Sequence, residues 1–144
     1  MFSDFYLNIE LFHPEAVMPK RAVKGDAGLD LFVCEKTILK PNFLISANTG
    51  IKIEFPAGYA AIIKEKSGLA LKEIEIKAGV IDHEYRGEII VLAKNMSKDV
   101  IKLLPGQKIA QMLIVPVWTG EPNLVVKVDE DTLRKDGGFG STGF

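Results

Sequence analysis

The stretch Phe43-Leu44-Ile45-Ser46-Ala47-Asn48-Thr49-Gly50-Ile51-Lys52-Ile53-Glu54-Phe55 is followed by Pro56-Ala57-Gly58 and then Tyr59-Ala60-Ala61-Ile62-Ile63-Lys64. It reads as strand, turn, strand. β-Branched and aromatic side chains suit a pleated, half-buried surface, and a proline two residues before a glycine reverses the chain. Outward from it the same grammar recurs. Tyr6 to Phe12 alternates loosely until Pro14 and Pro19 stop it, and Glu88 to Lys94 is apolar and β-branched. Ile109 to Val117 closes at Pro116 and the Gly120-Glu121-Pro122 turn, and Leu124 to Val128 reads as a last strand. Short runs with turn signals between them predict an all-β sandwich or barrel. Helical periodicity is confined to Ser67–Lys72, with Ser67 placed to act as the N-cap.

The 144 residues suit one domain, and 47% apolar content can fill a core. A net charge of −1 gives no basic field, so duplex nucleic acid is not an expected partner. An anionic ligand must instead be met by a local set of donors. No apolar run approaches the ~20 residues of a membrane span. The N-terminus has no basic start, and Asp4 and Glu10 interrupt its apolar residues, so a soluble, cytoplasmic protein is expected. The single cysteine, Cys34, follows Phe32 and Val33; it excludes an intrachain disulfide and reads as core packing. His13 and His83 have no partner at a zinc-ligand spacing, and no phosphate-loop or dinucleotide fingerprint is present.

Four places carry potential chemistry. Asp82 ends the apolar Gly79-Val80-Ile81 and is followed by His83-Glu84-Tyr85-Arg86-Gly87, as if a hairpin lifted a carboxylate and a phenol to its rim. An ionised aspartate accepts hydrogen bonds and can orient and deprotonate a water; it can equally cap its own turn. Lys66-Ser67-Gly68 places a cation, a hydroxyl and a glycine at a helix start, which suits a phosphate, though a solvated lysine before a cap reads the same. Gln111 is polar within an apolar run, either on an outer face or as a donor to a ligand. Gly137, Gly138, Gly140 and Gly143 loosen the tail around Phe139, Ser141 and Thr142. That tail is a frayed terminus or a mobile lid whose backbone and hydroxyls grip phosphate while the ring stacks on a base.

Five segments in order resemble the motifs of the trimeric dUTPase family. They are Ala27-Gly28-Leu29-Asp30-Leu31, then Lys66-Ser67-Gly68-Leu69-Ala70, then Gly79-Val80-Ile81-Asp82-His83-Glu84-Tyr85-Arg86-Gly87-Glu88, then Gly106-Gln107-Lys108-Ile109-Ala110-Gln111, and last Arg134 with Gly137-Gly138-Phe139-Gly140-Ser141-Thr142-Gly143. The resemblance implies an all-β, jelly-roll-like (β-clip type) fold over 1–133 and a mobile arm over 134–144. It also implies a homotrimer whose sites are shared between chains, and hydrolysis of dUTP to dUMP and pyrophosphate with Mg²⁺. On it, Asp82 positions the attacking water, the backbone of Gly79, Val80 and Ile81 reads uracil, and Tyr85 packs under the deoxyribose. Lys66, Ser67, Gly68 and Gln111 take phosphate. Phe139 covers the base; Arg134, Gly140, Ser141 and Thr142 close on the triphosphate; Asp30 lies near Mg²⁺ through its waters. The chain departs from the usual motifs at Glu65-Lys66, where Pro-Arg is common, at Glu84, commonly Asp, and at Lys135, often Gly. The competing readings are a dCTP deaminase of the same fold family, disfavoured by Tyr85 and the complete tail, and a non-catalytic nucleotide-binding regulator, disfavoured by Asp82.

Overall fold

The computed structural model describes residues 4–140, 142 and 143. Its regular structure is almost wholly antiparallel β. A four-stranded sheet runs in the order β2 (Leu29–Phe32), β11 (Lys108–Pro116), β6 (Tyr59–Lys64), β8 (Val80–Ile81). A three-stranded sheet runs β4 (Leu44–Asn48), β9 (Ile90–Asn95), β7 (Ile74–Lys77). Two-stranded sheets pair β1 (Asn8–Leu11) with β5 (Ile51–Glu54), and β3 (Thr37–Leu39) with β10 (Ile101–Leu103). Neighbours in each sheet are mostly distant in sequence, the long-connection topology of a jelly roll. One core collects Leu31, Phe55, Ile63, Ile89, Val91, Ile109 and Met112 from several of these sheets. Among the described residues, no helix is long and apolar enough to cross a membrane.

The opening stretch divides where the sequence shows one continuous apolar run. Thr49 and Gly50 break it into β4 and β5. Gly50 has a φ of 72°, and a Cβ there would lie 2.6 Å from the Cβ of His13. The buried Thr49 hydroxyl donates to the Ile89 carbonyl, and Gly50 N–H donates to Glu88 Oε2 at 2.9 Å. Cys34 is buried and free, and burial, then the negative charges of Glu88 and Glu35, push its thiol pKa up, so it packs and stays protonated.

Three expectations need correction. Ser67 is the first residue of the helix α1 (Ser67–Ala70), not its cap. Lys66 takes the cap position in an extended conformation and has no side-chain acceptor to offer. The segment Leu124–Val128 is not a strand. It makes no backbone hydrogen bond among the described residues, and Leu124 and Val126 are fully exposed; a strand needs an edge to pair with, and none of the described strands pairs with it. Asp82 to Tyr85 does form a turn, with Tyr85 N–H donating to the Asp82 carbonyl at 3.1 Å, but it does not cap a hairpin. β8 pairs with β6, and the chain then crosses to the other sheet at β9.

β11 is the spine of the larger sheet, paired on both sides, and Met112 at its centre is fully buried. Met112→Ala should cost about 2–5 kcal/mol, the range for truncating a buried core side chain. Urea unfolding measures it; a loss below about 0.5 kcal/mol would show that this strand is not the core element described.

Candidate functional site

Two clusters emerge, one on each side of β6. The first follows from the register of β11. Gln111 sits opposite Asp30 of β2 on one side and opposite Lys64 of β6 on the other. Its amide Nε2 donates to the Glu65 carbonyl at 2.8 Å, which fixes the path of the chain into Lys66, Ser67 and Gly68. Gly28 is buried against the same amide, so a Cβ there would collide with Gln111 Oε1. Segments separated by many residues in sequence are thus held at one end of the sheet.

Asp30 is 1% exposed. A buried carboxylate is costly unless paired, and here Lys66 Nζ lies 2.7 Å from Oδ1 and Lys108 Nζ 3.1 Å from Oδ2. Burial raises the Asp30 pKa; hydrogen bonding and charge from Lys66 and Lys108 outweigh it and hold the carboxyl below the usual aspartate value. One anion facing two cations leaves a net positive patch beside Ser67 and Gly68. Both of those residues are exposed, and the space into which a side chain at Gly68 would project is open. At the start of α1 the N–H groups of Leu69 and Ala70 donate to the Lys66 carbonyl, whereas those of Ser67 and Gly68 have no intrahelical acceptor. Donors, hydroxyl and cation there suit phosphate oxygens.

The second cluster is a cavity of about 220 Å³ that gathers Gly79, Val80, Ile81, Asp82 and Tyr85, with Ile63, Ala78 and Glu88 among its other walls. The backbone at Ala78 and Gly79 is left-handed, with φ of 56° and 100°. That kink turns the chain from β7 into β8. Ile63 N–H donates to the Gly79 carbonyl at 2.8 Å, and a Cβ on Gly79 would stand 2.8 Å from the Ile63 carbonyl oxygen. Only glycine permits both the conformation and the approach. The Tyr85 hydroxyl donates to the Glu88 carbonyl at 2.7 Å, which fixes its ring at the rim, and Asp82 is exposed beside it. A cavity of this size has room for a small planar ring such as a base.

The structure thus brings Asp30, Lys66, Ser67, Gly68 and Gln111 into one cluster and Gly79, Val80, Ile81, Asp82 and Tyr85 into another. None of the first cluster's residues lines the cavity of the second. Arg134, Phe139, Gly140 and Thr142 join neither: Arg134 Nε donates to the Gly137 carbonyl at 2.7 Å within its own turn, and Phe139 is fully exposed. Ser141 lies outside the described residues. Sequence reasoning passed over Lys108 as a partner of Asp30, and over Ile63 and Ala78 as cavity walls. Their signal was weak, since an apolar strand residue and a lysine after a turn have many uses.

The residues present do not fit a protein-held Mg²⁺. Among the described residues no three His, Cys, Asp or Glu side chains converge. Asp30, the residue expected near the metal, meets an ammonium group at each oxygen, so a metal-bound water would share those oxygens with Lys66 and Lys108.

Two outcomes follow from this geometry. Gly79→Ala should abolish nucleotide binding and lower stability by about 1–3 kcal/mol, through strain at a positive φ and the clash with Ile63; calorimetric titration with thermal melting measures both, and wild-type binding would contradict it. Asp30, with its folded pKa below the unfolded value, contributes stability that is present above the unfolded value of about 3.9 and is lost as pH falls through the folded value. The stability gap between wild type and Asp30→Asn should therefore be level from neutral pH down to about 5 and shrink only below about 4. A gap that closed between pH 7 and 6 in denaturant titrations would show that another group governs it.

The dUTPase family model matches residues 14–143. A deoxyuridine 5'-triphosphate nucleotidohydrolase of Hydrogenobaculum sp. (strain Y04AAS1) is 44% identical over 143 residues, covering 95% of this chain and 97% of the relative. That of Clostridium novyi (strain NT) is 43% identical, covering 95% and 98%. Among solved structures, the Staphylococcus bacteriophage 80alpha dUTPase with dUPNHPP superposes with a TM-score of 0.89 at 29% identity, covering 96% of this chain and 99% of that one. A variant dUTPase from phage phi11 of S. aureus, described with a structural Mg(II) ion, superposes with a TM-score of 0.80 at 27% identity, covering 86% and 99%. With a family match over nearly its whole length and relatives this similar from end to end, the chain belongs to the dUTPase family.

Proposed function

We propose that this chain is a dUTP diphosphatase, hydrolysing dUTP to dUMP and pyrophosphate. Such a reaction limits uracil incorporation into DNA and supplies dUMP for thymidylate synthesis. The observation that carries the reading is the small cavity walled by the backbone of Gly79, Val80 and Ile81 with Asp82 and Tyr85 at its mouth. Backbone N–H and C=O groups in fixed positions read a pyrimidine by its donor and acceptor pattern. Cytosine reverses that pattern at positions 3 and 4 and would leave buried groups unpaired, at roughly 1–3 kcal/mol each. Tyr85, held by Glu88, closes the sugar side against a 2′-hydroxyl.

In this reading Asp82 orients a water and accepts its proton as the oxygen attacks the α-phosphorus. The bond from that phosphorus to the bridging oxygen of the β-phosphate breaks, and pyrophosphate leaves. Ser67, Gly68 and Gln111 hold the phosphate oxygens, and Lys66 adds its charge from beside Asp30. Phosphoryl transfer is governed by such positioning and charge stabilisation. Bound to the triphosphate, Mg²⁺ would supply further charge neutralisation. Phe139 covers the base, while Arg134, Gly140, Ser141 and Thr142 close over the phosphates.

The separation of the two clusters and the tail within one chain supports a homotrimer with shared sites. One copy supplies Asp30, Lys66, Ser67, Gly68 and Gln111, a second supplies Gly79 to Tyr85, and a third supplies the arm from Arg134. The exposed Leu124, Val126 and Leu133 then find cover in the assembly. A cytoplasmic location accords with this chemistry.

Purified protein given dUTP should release dUMP and pyrophosphate in equal amounts, and dCTP should release no ammonia. Asp82→Asn should lower kcat by about 10²–10⁴, the usual weight of a general base, while dUTP affinity stays within a few-fold. Absence of dUTP cleavage by the wild type would overturn the reading.

A further inference from the structure

Glu65 stands where the family's second motif usually has proline, and its carboxylate is in use. Oε2 accepts the Ile76 N–H of β7 at 2.9 Å, across from the end of β6. Its main-chain carbonyl accepts the Gln111 amide at 2.8 Å. β6 belongs to the four-stranded sheet and β7 to the three-stranded one, so the side chain ties the two sheets together. The tie lies beside the cavity: Ile63, two residues before Glu65, and Lys77, one residue after Ile76, both line it. Between Ile76 and the base-reading backbone that begins at Gly79 stand only Lys77 and the left-handed Ala78. A non-glycine residue at φ 56° is held by its surroundings rather than by its own preference. Ile63 N–H holds the far side of that kink through the Gly79 carbonyl, and Glu65 holds the near side through Ile76.

We propose that Glu65 is a positioning residue for this site: it pins the strand that feeds the base-reading backbone and, through its carbonyl, the phosphate-facing Gln111. The proposal rests on the reading of the Gly79–Tyr85 cavity as the base pocket. A proline at this position could still present the carbonyl, but it has no carboxylate to take the Ile76 N–H. The tie is therefore a feature of this chain rather than of the motif as usually written. The Ile76 N–H, then the residue's own N–H, hold the carboxyl below the usual glutamate range; burial pushes the other way, and Lys64 adds a smaller pull. The acceptor thus stays ionised through the neutral range, where a charge-assisted bond is stronger than a neutral one.

The test compares steady-state dUTP hydrolysis by wild type, Glu65→Met, which keeps the length but accepts nothing, and Glu65→Gln, whose amide oxygen can still accept. Loss of one such bond should raise KM for dUTP about five- to tenfold in the methionine variant, with kcat within twofold and a reduced preference for dUTP over dCTP. Glutamine should return KM to within about twofold of wild type. Glu65→Asp, which keeps the charge but is too short to span the gap, should behave like methionine and serves if the methionine variant does not fold. A lowered Tm with KM unchanged would reduce Glu65 to a structural tie and overturn the proposal, as would a glutamine variant as impaired as methionine. An inactive wild type would instead overturn the function proposed for the site.

Discussion

The register of β11 against its two neighbours is the constraint on which the Asp30–Gln111 cluster depends. Gln111 meets Asp30 on one side and Lys64 on the other, so three distant stretches of sequence are brought into line by a single strand. A strand alternates its side chains with a period of two, and a slip of one residue would turn Gln111 away and bring Met112 or Ala110 into its place. The apolar neighbours make that slip expensive, because Ala110 and Met112 are fully buried. The irregularity between Lys108 and Ala110 then lets Lys108 reach Asp30 while the strand beyond it keeps its phase. Packing thus sets where the chemistry sits.

Around that register the electrostatics are arranged at some cost. Asp30 loses almost all its water, and two ammonium groups replace it. A lysine presents a compact charge on a flexible stem, unlike the planar fork of the arginine usual at position 66, so two lysines can share one carboxylate from different directions. Lys66 and Lys108 both keep some exposure, which moderates the strength of each pair but leaves positive charge where phosphate would approach. The other cluster uses backbone rather than charge. Ala78 and Gly79 hold an uncommon conformation because Ile63 and Ile76 are anchored on either side of it.

Much of this was legible in the sequence, for a physical reason in each case. Tyr59–Lys64 and the run around Ile109–Val117 stand out because they are long, apolar and bounded by turn residues, and both are strands at nearly those limits. Strands as short as Val80–Ile81 or Thr37–Leu39 carry too few residues for periodicity to speak. Leu124–Val128 has the composition of a strand without a partner among the described residues, a distinction local pattern cannot make. The candidate residues stand out through ordered motifs; their pairings do not. Glu65 and Lys66 looked like departures from a pattern, and only the fold connects them to Ile76 and Asp30.

The central proposal is that one copy's cluster around Asp30 and Gln111 works with another copy's cavity at Gly79–Tyr85. Its most direct test mixes two impaired variants, Asp82→Asn and Gln111→Ala, dissociates them, lets them reassemble together, and measures dUTP hydrolysis. Shared sites require recovery to about a quarter of the wild-type rate, the share of neighbouring pairs in a random equal mixture that combine an intact Gln111 with an intact Asp82. Activity no greater than the sum of the separate variants would place both residues' work within a single chain and contradict the account.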